Sequence, residues 1–342
     1  MRLDADSVVP YLRGSGVVPA DATATAHTLG GGVSNAVLRV EWDDRAVVVK
    51  QPFPDLAVEA DWPADVERVH NEAAAARVYA SVAAKRPAAD VRVPAVRYED
   101  EDEHVIVLAA APEPARMWKA DLLAGRVDTA VAATLGSMLA AVHETATGDP
   151  AIEREFERYA PFEQLRLDPY HRTVADRYPE YAAVIDREIE RLRTSRTTLV
   201  HGDYSPKNVL VDDTGEARTL WLLDFEVAHW GDPLFDVAFM LSHLFIKSVY
   251  RAADGEAYVD AATSFLDAYR AEQELSTARE RHLLTELGVL LLARVDGKSP
   301  VEYVERAATK DQIRTLAGQL LSGESETIEA FVSARNTVLS DT

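Results

Sequence analysis

Short apolar runs separated by turn residues dominate the first third of the chain. Residues 26–50, AHTLGGGVSNAVLRVEWDDRAVVVK, alternate valine-rich runs with a glycine triplet and an Asp-Asp pair. Because valine favours strands while glycine and aspartate favour turns, this segment predicts an antiparallel meander. The runs VPAVRYED and HVIVLAAAP flank an acidic turn at residues 100–103, which predicts a second hairpin.

Helical spacing replaces this alternation elsewhere. Residues 63–84 are rich in alanine, carry apolar positions at helical spacing and have a proline near the start, so they predict one long helix. After Pro112, most of the chain outside residues 198–238 also reads as helix. The sequence therefore predicts an α+β protein of two lobes: a small antiparallel-sheet lobe with one long helix over residues 1–112, and a larger, mainly helical lobe over residues 113–342.

Composition and charge narrow the range of partners. The 342 residues include 57 acidic and 36 basic side chains, and the formal net charge of -21 is spread along the chain. Such a surface repels nucleic acid and anionic lipid, so we expect neither as a partner. The acidic N-terminal residues and the lack of a long apolar run predict a cytoplasmic protein, and dispersed acid with scarce lysine resembles the surface of salt-adapted proteins. Without cysteine, disulfides and thiolate metal sites are excluded.

Polar residues follow two apolar runs in the middle of the chain. In VHGDYSPKNVLV, Asp203 and Asn208 stand on one loop, and in LLDFEVAHWGDPLFDVA, Asp224 ends the next apolar run. Carboxylate and carboxamide oxygens suit Mg²⁺, and a remaining aspartate can orient an incoming hydroxyl group. Each residue alone is more often a turn or capping residue, but the three in this order fit a kinase signature.

These two segments resemble the catalytic and metal-binding loops of the aminoglycoside phosphotransferase-like kinases, which include choline and 5-methylthioribose kinases. The resemblance implies a bilobal protein-kinase-like fold, with ATP and Mg²⁺ as cofactors. It implies that Asp203 is the catalytic aspartate facing the acceptor hydroxyl and that Asn208 and Asp224 are Mg²⁺ ligands. It also implies that His201 and Asp236 brace the loop.

The first lobe contains the remaining parts that such a kinase needs. Lys50 ends the strand RAVVVK and is expected to neutralise phosphate charge, with Glu72 on the following helix as its partner and Glu67 as the alternative. Glycine lets backbone N–H groups approach phosphate closely, so the turn LGGGVSN is expected to cover the nucleotide phosphates. The nucleotide-binding residues predicted in this turn are Gly30, Gly31, Gly32, Ser34 and Asn35.

The segment after Asp224 indicates the size of the acceptor. Protein kinases insert a long activation segment and a peptide platform after the metal-binding aspartate, whereas here only FEVAHWG precedes Asp232. This spacing leaves no room for a peptide platform. We therefore expect a small-molecule acceptor.

A second resemblance narrows the choice of acceptor. Residues 47–73 resemble the corresponding stretch of 5-methylthioribose kinases, which favours a methylthioribose-like sugar or polyol, with Glu226, Trp230 and Arg294 as contacts. Lys207 either reaches the transferring phosphate as a catalytic residue or is a solvated loop lysine. The alternatives are an aminoglycoside- or choline-type kinase and, from another class, a catalytically inactive nucleotide-binding module.

Overall fold

The computed structural model of the protein describes four stretches of the chain, residues 2–30, 35–54, 64–86 and 90–340. Three residues of the predicted phosphate turn, Gly31, Gly32 and Ser34, lie outside the described residues. Gly30 and Asn35 flank them and are described.

Contacts between residues divide the chain into two compact units. Unit 1 comprises Met1–Ala115 and Val211–Ala228, and unit 2 comprises Arg116–Leu210 and His229–Thr342. Unit 1 thus takes in a late segment of the chain that carries Asp224. The assignment of nucleotide binding and catalysis to lobes divided near residue 112 stays a prediction.

The helices and strands of the described residues follow one another in a mixed order. The helices are α1 (Val8–Gly14), α2 (Arg68–Ala84), α3 (Trp118–Leu123), α4 (Thr129–Ala146), α5 (Pro150–Glu155), α6 (Ala160–Phe162), α7 (Thr173–Arg177), α8 (Ala182–Thr194), α9 (Leu234–Tyr250), α10 (Gly255–Arg270), α11 (Thr277–Asp296), α12 (Ala307–Leu321) and α13 (Ile328–Ser340). The strands are β1 (Ala24–Thr28), β2 (Asn35–Trp42), β3 (Arg45–Pro52), β4 (Val91–Arg92), β5 (Val96–Asp100), β6 (Val105–Ala109), β7 (Arg116–Met117), β8 (Thr198–Val200), β9 (Val209–Asp212), β10 (Thr219–Leu222) and β11 (His229–Gly231). A π-helical segment covers Glu163–Arg172, and 3-10 turns cover Pro206–Asn208 and Ala252–Asp254.

Unit 1 is built around an antiparallel sheet with the strand order β1-β2-β3-β6-β5. β2 and β3 pair along their whole length, from Asn35 opposite Pro52 to Trp42 opposite Arg45. β5 pairs with β6 in the same antiparallel manner. The predicted meander and the second hairpin are both confirmed. β10 pairs with β4 in parallel and so adds a strand from much later in the chain to this unit.

Alternation along β3 determines which way Lys50 points. Val47 and Val49 belong to the apolar core that one face of the sheet forms with α1. Successive residues of a strand face opposite sides, so Lys50 lies on the other face. On that face β6 packs against α2, and the lysine is directed towards this helix.

The long helix of unit 1 begins later than the sequence pattern predicts. The pattern predicts a helix from residue 63, whereas α2 begins at Arg68. The carboxylate of Asp65 accepts a hydrogen bond from the backbone N–H of Glu67 at 3.0 Å. Such a local side-chain bond satisfies a backbone group outside the helix and competes with helix formation.

α9 is the central helix of unit 2. Its residues from Leu234 to Val249 are all buried, and it packs against α10, α11 and α12. Burial on all sides is expected of a helix that is apolar around its whole circumference. His243 and Lys247 are buried within it as well. No helix in the described part of the chain combines the length and the apolar character needed to cross a bilayer.

Candidate active site

Lys50 forms an ion-pair triad with two carboxylates of unit 1. Its Nζ donates to Oε1 of Glu72 at 2.6 Å and to Oδ1 of Asp224 at 2.8 Å. Lys50 and Glu72 are only 8% and 1% exposed. Of the two glutamates considered from the sequence, Glu72 is therefore the one that contacts the lysine.

Opposing effects set the protonation of this triad. Burial lowers the pKa of Lys50, but the charges of Asp224 and Glu72 outweigh burial and raise it above its usual value. Burial raises the pKa of Glu72, and the nearby Lys50 opposes that rise. The ammonium group of Lys50 consequently stays charged at neutral pH, which suits a role beside phosphate groups.

Asp224 has an uncommon backbone conformation. Its φ of 67° lies in the left-handed region, where residues other than glycine are disfavoured. Aspartate is one of the residues that adopts this region most readily. The turn directly follows β10, and its carboxylate, 24% exposed, reaches Lys50.

Two further predicted residues of unit 1 share a buried network. Oε2 of Glu226 accepts hydrogen bonds from Nδ2 of Asn35 at 2.8 Å and from Nε of Arg68 at 3.0 Å. Arg68 is fully buried at the start of α2 and also donates to the carbonyl oxygen of Phe53. The network ties the segment after Asp224 to α2. Arg68 was not identified from the sequence, because its partner lies 158 residues away.

If the chain uses ATP as its sequence predicts, the Glu72→Gln variant is expected to lower kcat/KM for ATP by roughly 10- to 100-fold, because a buried hydrogen bond between two charges is replaced by a weaker one. The side chain keeps its size, so the sheet and α2 should remain folded. Glu67→Gln, an exposed glutamate at the start of the same helix, is the matched control. Steady-state kinetics with varied ATP measure the effect, and equal values for the two variants would contradict a role for the Lys50–Glu72 pair.

The loop after β8 holds Asp203 in a buried position in unit 2. Its Oδ2 accepts a hydrogen bond from Nδ2 of Asn208 at 2.9 Å and pairs with Nζ of Lys207 at 2.8 Å. Its Oδ1 pairs with a guanidinium nitrogen of Arg166 at 3.2 Å. Asp203 is only 3% exposed, so these donors hold its carboxylate in one orientation.

Asn208 is positioned by the 3-10 turn Pro206–Asn208. Its amide nitrogen donates to both the side chain and the backbone oxygen of Asp203. The carboxamide oxygen is then the group that can ligate a cation. That oxygen and the Asp224 carboxylate are hard donors of the kind that Mg²⁺ takes. Their assignment as metal ligands stays a prediction.

Asp236 fixes the backbone of the same loop. It is fully buried, and its two carboxylate oxygens accept hydrogen bonds from the N–H groups of His201 at 2.7 Å and Gly202 at 2.9 Å. The N–H of Asp203 donates to Nδ1 of His201 at 3.2 Å. An imidazole that accepts at Nδ1 carries its proton on Nε2. These contacts are the geometry expected of bracing residues.

Arg166 is a site residue that the sequence did not reveal. It lies in the π-helical segment Glu163–Arg172, and its Nε donates to the carbonyl oxygen of Gly202 at 2.7 Å. The same guanidinium pairs with Asp203, so it holds both the backbone and the side chain of the loop. No pattern in its own segment marks it, because its partners come from a distant part of the chain.

The three other predicted residues of unit 2 differ from one another in exposure and in partners. Lys207 contacts Asp203 while its own side chain is 44% exposed. Trp230 lies in β11 and is only 5% exposed. Arg294, in α11, donates to the hydroxyl group of Tyr170 at 3.0 Å. Their roles towards substrate stay predictions.

Comparisons with known proteins give the family of the chain. The sequence profile of the phosphotransferase enzyme family matches residues 25–275. The chain is 22% identical over 272 residues to methylthioribose kinase of Bacillus cereus (strain G9842), and the match covers 72% of this chain and 66% of that kinase.

Solved structures show the same fold. A choline/ethanolamine kinase family protein from Mesorhizobium loti is similar over 98% of this chain and 99% of its own, with 20% identity and a TM-score of 0.52. An amicoumacin kinase in complex with AMP-PNP, Ca²⁺ and Ami is similar over 96% of both chains, with 16% identity and a TM-score of 0.54. These likenesses confirm the predicted α+β, kinase-like fold.

The region matched by the family profile contains every residue of the two sets that surround Lys50 and Asp203. It also spans both units and most of the chain. The chain therefore belongs to the phosphotransferase enzyme family, as the sequence predicts.

Proposed function

We propose that this phosphotransferase moves the γ-phosphate of ATP to a hydroxyl group of a small molecule. The observation that carries the proposal is the orientation of Asp203: a buried carboxylate held by Arg166, Lys207 and Asn208 on a loop that Asp236 fixes. A carboxylate held in this way is suited to orient an acceptor hydroxyl and to accept its proton. The ammonium group of Lys50, held by Glu72 and Asp224, supplies positive charge for the phosphate groups.

Each residue has a distinct role in the proposed reaction. Lys50 neutralises charge on the ATP phosphates, and Glu72 keeps the lysine in place. Asp203 orients the acceptor hydroxyl, whose oxygen forms a bond to the γ-phosphorus while the bond to the β-phosphate oxygen breaks, leaving ADP. Mg²⁺, held by Asn208 and Asp224, would neutralise further charge on the phosphates. The amicoumacin kinase solved with AMP-PNP and Ca²⁺ supports a nucleotide triphosphate and a divalent cation as cofactors.

For the acceptor, we propose a methylthioribose-like sugar or a polyol, with Glu226, Trp230 and Arg294 as candidate contacts. The support is the 22% identity to a methylthioribose kinase. An aminoglycoside- or choline-type kinase is the second candidate, which the likeness to a choline/ethanolamine kinase family protein favours. The absence of a peptide platform after Asp224 argues for a small molecule in either case.

An ATP-consumption screen with Mg²⁺ tests the proposal. The acceptors are methylthioribose, pentoses, polyols, choline, homoserine and aminoglycosides, and the Asp203→Ala protein is the blank. Turnover of one acceptor above the blank is the expected result. ATP binding by calorimetry without turnover of any acceptor would instead favour an inactive nucleotide-binding module.

A further inference from the structure

Lys247 in α9 is a fully buried ammonium group whose partners are neutral. It is 0% exposed. Its Nζ donates to the carbonyl oxygen of His243 and to the hydroxyl group of Tyr303, both at 3.3 Å. Within the described ranges, no carboxylate forms an ion pair with it. Burying a charge in this way is strongly unfavourable unless something else requires it.

The other buried cations among the described residues are paired with carboxylates. Lys50 has Glu72 and Asp224, and the fully buried guanidinium of Arg68 pairs with Glu226. Lys247, at the centre of unit 2, forms no such ion pair within the described residues. Its charge is therefore not explained by the fold.

Arg294 repeats the same arrangement nearby. Its Nη1 donates to the hydroxyl group of Tyr170 at 3.0 Å and to the carbonyl oxygen of Ser299 at 2.6 Å, which are both neutral. In the part of the chain that the structure describes, its Nε is buried without a hydrogen-bond partner, and Nε2 of His243 is too. Buried polar atoms without partners are uncommon and call for an explanation, such as a bound molecule.

Lys119 adds a third positive charge. Its Nζ lies 6.0 Å from the centroid of the Tyr303 ring, and that of Lys247 lies 5.1 Å from the same point. Lys119 pairs with Glu302, whose side chain is 68% exposed. We call Lys119, Lys247, Arg294, Tyr170 and Tyr303 the cation cluster.

The charges of the cation cluster lower the pKa of Lys247 and of His243. Burial and the charges of Lys119 and Arg294, which outweigh the opposing charge of Glu302, together lower the pKa of Lys247 to about 7. Burial and the charges of Lys247 and Arg294 also lower the pKa of His243 well below its usual value, so this imidazole is neutral. A local excess of positive charge thus exists in a chain whose net charge is -21.

The two tyrosine hydroxyl groups of the cluster each keep a hydrogen that they can donate. Tyr303 accepts a hydrogen bond from Lys247, and Tyr170 accepts one from Arg294. A hydroxyl that accepts from a cation still has its own hydrogen to donate. Cations and hydroxyl groups that can donate a hydrogen bond together form a set of groups that binds an anion.

The side chain of Arg166 links the cation cluster to Asp203. The Arg166 guanidinium that pairs with Asp203 lies 5.5 Å from the centroid of the Tyr170 ring. Arg294 lies 5.7 Å from the same centroid. A small molecule with a hydroxyl group at Asp203 would therefore extend towards the cluster.

We propose that the acceptor carries an acid group, either a carboxylate or a phosphate ester, and that the cation cluster binds it. This inference rests on the proposed kinase function and names the class of its substrate: a sugar or polyol with a negative charge. Lys119, Arg294 and Tyr303, which are partly exposed, contact the acid group, and Lys247 lies beneath Tyr303 as a positioning residue. Choline and aminoglycosides are cations that the cluster would repel, and a neutral sugar would leave its charges unmatched.

The test uses sets of acceptors that differ in one group. Ribitol, ribonate and ribitol 5-phosphate form one set, sorbitol, gluconate and sorbitol 6-phosphate form another, and glucosamine represents cations. We expect kcat/KM to be highest for an acid member, and the carboxylate and phosphate arms identify which acid is bound.

Lys247→Met should lower kcat/KM for that acid by roughly 10- to 100-fold, mainly through KM. Tyr303→Phe should act in the same direction, whereas Lys85→Met, which removes an exposed lysine of unit 1, should have no effect.

Two readouts separate the acid-group inference from the proposed function. Thermal unfolding is measured with ribonate, ribitol 5-phosphate and ribitol, without ATP. Stabilisation by an acid but not by ribitol, lost in Lys247→Met, would support the cation cluster even if no acceptor were phosphorylated. A preference for ribitol, sorbitol or glucosamine would overturn the inference while leaving the kinase proposal intact, and so would an absence of acid-specific stabilisation or turnover.

Discussion

The Asp203→Asn protein is expected to lose roughly 10²- to 10⁴-fold in kcat while binding Mg·ATP as tightly as the unmodified protein. Asparagine keeps the size of the side chain and one oxygen, but it cannot accept the proton of the acceptor hydroxyl. It also removes the charge that pairs with Arg166 and Lys207. Single-turnover kinetics measure the chemical step, and calorimetry measures ATP affinity.

Two controls make this result interpretable. Asp186→Asn, at an exposed position of α8, tests for any effect of the substitution type alone. Thermal unfolding tests whether Arg166, buried beside Asp203, still allows the loop to fold once its partner is neutral. A folded Asp203→Asn protein with kcat within tenfold of the unmodified protein would remove Asp203 from the proposed role.

The Lys247→Met protein is expected to be more stable than the unmodified protein by about 3–5 kcal/mol at pH 7. Burial lowers the pKa of Lys247 from 10.5 to about 7 in the folded state. The unfolded chain therefore holds this proton more tightly than the folded chain, and the difference opposes folding. Methionine has a similar length and no charge to bury, so little packing should be lost.

The sign of the pH dependence follows from the same shift. The full penalty is present below pH 7, and it decreases as the pH rises from 7 towards the unfolded value of 10.5. The stability difference between the two proteins should therefore narrow between pH 7 and pH 10. Urea unfolding at several pH values measures it, with Lys85→Met as the control. An equal or lower stability of Lys247→Met at pH 7 would show that the buried ammonium group does not destabilise the fold.

The parts of the site that depend on local sequence were predictable. Strand alternation places Lys50 on the face of the sheet that α2 covers, and helical order then brings Glu72 to it. The proximity of Asp203 and Asn208 was equally predictable, because both stand on one turn. The family and the fold could be predicted because the motifs that carry the resemblance are short contiguous segments, and the Lys50 pair because its two residues lie on one strand and the next helix.

The parts that depend on tertiary packing were not predictable. α2 begins at Arg68 and not at residue 63, because the Asp65 carboxylate accepts a hydrogen bond from the backbone of Glu67, which helical spacing does not reveal. Arg166 meets its loop only through the folded chain. Lys247 stands in the segment LFIKSVY, where a lysine usually extends its charge to the surface, and only the packing of α9 on every side shows that it cannot.

Unit 1 combines two separate segments of the chain, and the second segment is synthesised much later than the first. Residues 211–228, which bring Asp224 to Lys50, leave the ribosome only after all of residues 116–210 have been made. At 5–20 residues per second, this delay is on the order of 5–20 s. During that interval the nascent N-terminal segment has Glu72 but not Asp224 for its buried lysine. The ion-pair triad of unit 1 therefore cannot form until residues 116–228 have been synthesised.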